Sequence, residues 1–240
     1  MKIQLIDRKT MSAIMRLYIF IATILSTSVL VCAPVQNTDY VIPPFTFSPD
    51  RLYGVMIPVF HFEAANQPDD RENKVVDLKT HRIVTIIHCD TGYDRALNYH
   101  ETAPPVWSAD SSVLLWEVKG KWFDDALVLL KLNKGSQKWQ LDLMRVSQKA
   151  ILTRTREASP KQYEAAKQAN AGNGSAYPEG FTVDVKSDKS KITFPYHVQV
   201  DLTANPKDIE GFPANLESHL DAIVTKDGNY IVTKFKLGRR

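Results

Sequence analysis

The chain has 240 residues, with 30 Lys+Arg against 27 Asp+Glu, a formal net charge of +3 and 44% hydrophobic residues. That composition excludes a disordered chain, a collagen and a polytopic membrane protein, and two cysteines are too few for a disulfide scaffold. The positive balance points to nucleic acid or acidic lipid only if it belongs to the folded body, so its position along the chain decides.

Its position is N-terminal. Lys2, Arg8, Lys9 and Arg16 precede Leu17 to Leu25, a run that is apolar apart from Thr23. Ser26, Thr27 and Ser28 follow, then Val29 to Val31. A basic start, an apolar centre and small residues after it predict a secretory signal peptide over 1–33. Leu17–Val31 is 15 residues, short of the roughly 20 that span a bilayer. Cleavage after Ala33 and cleavage after Ser28 both remain open. Cys32 admits a lipoprotein, although Val31 stands where a lipobox has a small residue. Residues 1–33 hold four basic groups against one acidic group, and the other 207 residues hold 26 of each. The excess charge is therefore an address. The expectations are a periplasmic or secreted protein and no nucleic-acid partner. Membrane contact is expected only through the signal segment or a lipid on Cys32.

Residues 34–144 read as a β-meander region. Leu52–Phe60 is an apolar strand. Lys74–Leu78 and Ile83–His88 flank a hairpin turn at Lys79–Arg82, and Ser112–Val118 and Asp125–Leu132 flank another at Lys119–Trp122. A turn at Asn133–Ser136 leads to a strand at Lys138–Leu143. Residues 145–175 change period. Val146, Ala150 and Ile151 have helical spacing. Ser159-Pro160-Lys161-Gln162 has capping-box form and starts a helix that ends by Gly172. Residues 176–240 return to strands at Phe181–Lys186, Ile192–Leu202, Leu216–Thr225 and Tyr230–Leu237. Lys226-Asp227-Gly228-Asn229 joins the last two as a tight hairpin. The charge follows this division: 11 basic and 15 acidic groups in 34–144, 6 and 3 in 145–180, 9 and 8 in 181–240.

Three segments share a form: Phe47-Ser48-Pro49-Asp50-Arg51-Leu52-Tyr53-Gly54-Val55, Trp107-Ser108-Ala109-Asp110-Ser111-Ser112-Val113-Leu114-Leu115 and Val224-Thr225-Lys226-Asp227-Gly228-Asn229-Tyr230-Ile231-Val232. Each is apolar, then Ser or Thr, any residue, Asp, a short turn and an apolar strand. Hydroxyl and carboxylate oxygens at those positions can accept from turn N–H groups. The first two segments resemble the Ser-Pro-Asp-Gly repeats of TolB-type bacterial β-propellers, with Arg51 and Ser111 in place of Gly. The resemblance covers about nine residues per copy and implies that each segment joins the first two strands of a blade. Successive copies stand 60 and 117 residues apart, where a blade takes roughly 40–50. The expected fold is mainly β, of α+β type. It has two antiparallel blade-like meanders, a helical insertion and a C-terminal antiparallel sheet.

Catalytic motifs are missing. None of the six histidines forms HExxH or a Cys/His zinc pair, and no G-x-S-x-G, S-x-x-K or P-loop occurs. No metal and no cofactor are expected. Trp107, Trp116, Trp122 and Trp139 fall within 33 positions. Core packing accounts for most of them, and Trp122, between Gly120 and Asp124, is the one expected at the surface. Asp90, Asp94, His100 and Glu101 share one polar stretch. With Trp122 they are the candidate binding residues of a non-catalytic, exported interaction module, whose partner is an envelope or extracellular protein or glycan. The alternative is an exported hydrolase with an acid–base pair around residues 90–101.

Overall fold

Ala126-Leu127-Val128-Leu129-Leu130 contains no polar residue. A strand of that kind has to be covered on both faces. The computed structural model describes residues 40–58, 72–88, 104–119, 124–169, 178–204 and 216–238, all within one compact unit, 37–240. Residues 1–33, where a signal peptide is expected, lie outside the described residues, as do Asp90, Asp94, His100, Glu101 and Trp122.

The protein is mainly β, as expected. Sheet I contains β1 (Tyr40–Val41), β2 (Tyr53–Pro58), β3 (Lys74–Asp77) and β4 (Ile83–Ile86). Sheet II contains β5 (Val106–Trp107), β6 (Val113–Lys119), β7 (Asp124–Asn133) and β8 (Ser136–Asp142). Helices α1 (Leu143–Ala158) and α2 (Pro160–Ala169) follow. Sheet III contains β9 (Thr182–Ser187), β10 (Tyr196–Ala204), β11 (Leu216–Val224) and β12 (Tyr230–Leu237). Each sheet is an antiparallel meander whose spatial order follows the chain. β10 starts one residue after Pro195, because proline has no N–H to give a ladder.

Sheet II is the middle layer. Leu114, Trp116, Ala126, Val128 and Leu130 face a core shared with Val55, Ile57, Val75 and Ile87 of sheet I and its flank. Val113, Leu115, Leu127 and Leu129 belong to the opposite core, with Ile151 of α1, Tyr163 of α2 and the inner face of sheet III. α1 lies against β7 on one side and all four strands of sheet III on the other. Asp142 caps it by accepting from the Arg145 N–H at 3.0 Å. Ser159 Oγ donates to Gln162 Oε1 at 2.7 Å at the start of α2, a bond between side chains, while the Ser159 N–H donates to Thr155 O at 2.9 Å, so the reciprocal backbone bonds of a capping box are not the ones formed. Several buried polar groups in this layer are paired. Thr155 Oγ1 donates to Ile151 O at 2.7 Å, so Ser218 Oγ is the donor in its 2.6 Å contact with Thr155. The buried Glu117 carboxylate meets Lys189 Nζ. Glu179 gathers Arg156 Nη2 at 2.6 Å, Lys167 Nζ at 2.8 Å and Tyr163 Oη at 3.1 Å. Desolvation opposes ionisation of Glu179, but those three donors outweigh it and hold the carboxyl below its usual range.

The two blade-like turns are superposable in their bonds. Ser48 Oγ donates to Asp50 Oδ1 at 2.6 Å, and Ser108 Oγ donates to Asp110 Oδ1 at 2.6 Å. Leu52 N and Ser112 N reach those same carboxylate atoms at 3.0 and 3.1 Å. Tyr53 N and Val113 N donate back to Ser48 Oγ and Ser108 Oγ at 3.0 and 2.9 Å. Arg51 and Ser111 stand at φ of 57° and 56°, the left-handed conformation for which glycine is the ordinary choice. The two turns therefore share one backbone conformation at this position although neither has glycine there. The turns also touch, with Asp50 N donating to Ser111 Oγ at 3.2 Å, Trp107 Nε1 donating to Thr46 O at 3.0 Å, and Tyr53 stacked on Trp107. The third turn differs. It closes one residue earlier, through Thr225 N to Asn229 O at 3.0 Å, against Ser48 N to Tyr53 O at 2.8 Å. The Asp227 carboxylate pairs with Lys138 at 3.4 Å, and it is the Asp227 N–H that reaches Thr225 Oγ1.

Candidate functional site

β10 reads Tyr-His-Val-Gln-Val-Asp-Leu-Thr-Ala and β11 reads Leu-Glu-Ser-His-Leu-Asp-Ala-Ile-Val. Period-two alternation sends one set of side chains into the core and the other to the opposite face. The buried set includes Val198, Val200, Leu202, Leu216, Leu220 and Val224. The opposite face carries His197, Gln199 and Asp201 on β10, and Glu217, His219 and Asp221 on β11. β12 would break this pattern without its irregularity. The ladder slips between Asp221 and Ala222, and Thr233 Oγ1 donates to Asp221 O at 3.0 Å. That bulge turns Phe235 inward and brings Lys234 opposite Asp221 and Lys236 opposite His219 on the outer face.

Two cross-strand rows result. One runs Asp184, Asp201, His219, Lys236, and the other runs Lys186, Gln199, Asp221, Lys234. Asp201 Oδ1 lies 2.5 Å from His219 Nδ1, and its Oδ2 lies 2.7 Å from Lys186 Nζ. Lys186 also reaches Asp184 at 3.1 Å. The hydrogen bond to Asp201, then that to Asp184, raises the Lys186 pKa from its ordinary value. An ionised Asp201 accepts from Nδ1–H, which fixes the imidazole orientation and leaves Nε2 for another partner. Nε2 is buried and has no hydrogen-bond partner among the described residues. An unmade bond at such an atom costs about 1–3 kcal/mol. Beside it is a half-open depression of about 240 Å³ lined by Gln199, His219, Asp221, Lys234 and Lys236.

The site offers ammonium and amide donors, one carboxylate and one oriented imidazole. A carboxylate–imidazole pair is also the base half of an acyl-transfer triad. No hydroxyl or thiol contacts Nε2 among the described residues, so the nucleophile half is not assembled there. Nor do the described residues contain a group of three His, Cys, Asp or Glu side chains able to hold a metal ion.

Trp116 is fully buried, Trp107 stacks on Tyr53, and Trp139 donates to Lys226 O at 3.2 Å, so these three act in packing. Sequence reasoning passed over Asp201, His219, Lys234 and Lys236. The alternation that exposes the first two was visible, but the bulge that aligns the lysines was not. Comparison with family models, with curated proteins and with solved structures finds no match.

Proposed function

We propose that the chain is an exported, non-catalytic binding protein of the cell envelope, and that the outer face of sheet III is its ligand face. The observation that carries this reading is the depression on an open sheet face, with an oriented imidazole whose second nitrogen is unpartnered among the described residues. The signal-type N-terminus supports export, and the neutral remainder supports a partner other than nucleic acid. The partner is an envelope or extracellular protein or glycan.

The test compares two charge-matched variants. Lys234→Glu/Lys236→Glu alters the sheet III face, and Lys79→Glu/Arg82→Glu alters the β3–β4 turn. Each full chain is immobilised and exposed to envelope extract. The expected result is a component retained by the wild type and by the turn variant but lost from the face variant. Equal retention by both variants sinks the assignment of the face.

A further inference from the structure

We infer that the end of sheet I at the β3–β4 turn docks the folded protein on an anionic lipid bilayer. This contact is separate from the sheet III face and does not rest on it.

The register of sheet I sorts its side chains. Tyr53, Val55 and Val75 face the core shared with sheet II. Ladder partners lie on one face, so Gly54, Val76 and Ile83 form a row on the opposite face, and Met56, Lys74 and Ile86 form the next. A Cβ on Gly54 would meet Ile42 Cγ2 and Leu78 Cδ2 at 3.0 Å and Phe47 Cδ1 at 3.2 Å, which places those three side chains on this face too. None of them belongs to either core. Among the described residues, six large apolar side chains are exposed, and four of them, Val41, Phe45, Leu52 and Ile83, come from sheet I and its connections. Leu52 is 52% exposed and Ile83 48%. Leu52 O accepts from Leu78 N at 2.9 Å, which sets both beside the β3–β4 turn. An outward apolar face concentrated in this way marks an interaction surface.

Charge selects the occupant. Arg51, Lys79 and Arg82 are exposed and adjoin Leu52, Leu78 and Ile83 in sequence. Arg51 and Lys79 form no ion pair among the described residues, and Arg82 lies in the field of Asp77. The two acidic neighbours are engaged by their own turns. Asp50 Oδ1 accepts from Leu52 N at 3.0 Å, and Asp77 Oδ1 accepts from Lys79 N at 2.9 Å and Thr80 N at 2.8 Å. Lys74, inside the face, holds Nζ 4.2 Å from the centre of the Tyr40 ring. Apolar side chains reaching out between exposed cations match the layers of an anionic bilayer surface, phosphates over acyl chains. A second copy of this chain would bring the same cations and the same engaged carboxylates. An acidic peptide would answer the cations and leave Leu52 and Ile83 in water.

The experiment uses the full chain, labelled at isoleucine methyl groups, and lipid nanodiscs that carry a spin-labelled lipid. Ile231, on β12, is 45% exposed and serves as the internal reference for Ile83. An N-terminal tether with no preferred face would broaden both signals alike. With about one quarter phosphatidylglycerol in phosphatidylcholine, the Ile83 signal should broaden several-fold more than that of Ile231. In phosphatidylcholine alone the difference should shrink. Lys79→Glu/Arg82→Glu should weaken the response to anionic discs by about tenfold or more, since each cation near such a surface is worth about fivefold in affinity. Lys234→Glu/Lys236→Glu, on sheet III, should leave the preference for Ile83 in place. Equal broadening of Ile83 and Ile231 in the wild type overturns the inference, whether or not the variants fold. An equal response to neutral and anionic discs overturns it as well. A concentration-dependent shift at Ile83 without lipid would assign the face to a second copy instead. An equal response to soluble polyglutamate would assign it to an acidic protein.

Discussion

Sheets II and III have the same size and the same meander order, yet they solve opposite problems. Sheet II is apolar on both faces because sheet I covers one and α1 with sheet III covers the other. In sheet III, β10 and β11 alternate strictly and give their second face to polar and charged groups. The difference teaches where substitutions can be absorbed. A core side chain in sheet II has neighbours on every side and no room to relax, whereas an outward residue of sheet III borders water. The first way to break the comparison is therefore Leu129→Ala against Gln199→Ala, in chemical denaturation. Leu129→Ala should cost about 2–5 kcal/mol and Gln199→Ala less than about 0.5 kcal/mol. Similar losses at both would mean that the outer face of sheet III is covered.

The β11–β12 turn ties the two sheets together. A Cβ on Gly228 would meet Trp139 Cδ2 and Cγ at 2.9 Å, and Gly228 has φ of +87°. Both the ring of β8 and the backbone exclude a side chain there. Gly228→Ala should cost about 1–3 kcal/mol. Trp139 fluorescence, followed through the melt, would report it.

The turns give a finer contrast. Ser108→Ala removes a bond to Asp110 and an acceptor for Val113 N, and should cost about 1–2 kcal/mol. Thr225→Ala removes only contacts of 3.3 and 3.4 Å, and should cost about 0.5 kcal/mol or less. The same carboxylate sets an acid dependence. The Ser108 hydroxyl bond is the largest influence on Asp110. Desolvation opposes it, Ser112 adds to it, and the net effect holds the carboxyl below its ordinary value. A carboxyl lowered on folding contributes stability above its unfolded value and loses it as pH falls through the folded one. Asp110→Asn should flatten the acid limb of the stability curve below about pH 4, where the wild type falls.

Much of this architecture was legible in period and punctuation. An apolar run marked β2, hairpin turns marked the strands that flank them, β6, β7, β11 and β12 among them, alternation marked β9 and less regularly β10, and the Ser-Pro start marked α2. β1 and β5, two residues each, were missed because so short a strand has no measurable period. The candidate site was legible only in part. Its dyad pairs residues 18 positions apart, and its lysines depend on the bulge at Thr233. Register of this kind is a tertiary property that the one-dimensional pattern does not carry.

The smallest effect separates the two blade-like turns themselves. Both place a non-glycine residue in the left-handed region. That conformation strains an L side chain by about 1–2 kcal/mol, while glycine pays about 0.5–1 kcal/mol in chain entropy. Placing glycine there should thus stabilise either turn slightly. The turns differ in what the side chain does. Ser111 Oγ accepts from Asp50 N and links sheet II to sheet I, whereas Arg51 is exposed at the turn tip. Arg51→Gly should gain up to about 1 kcal/mol, and Ser111→Gly should fall near zero because the lost inter-sheet bond offsets the relief. Thermal melts of the two variants measure the difference. Equal gains would show that the Asp50–Ser111 contact contributes nothing to holding the first two sheets together.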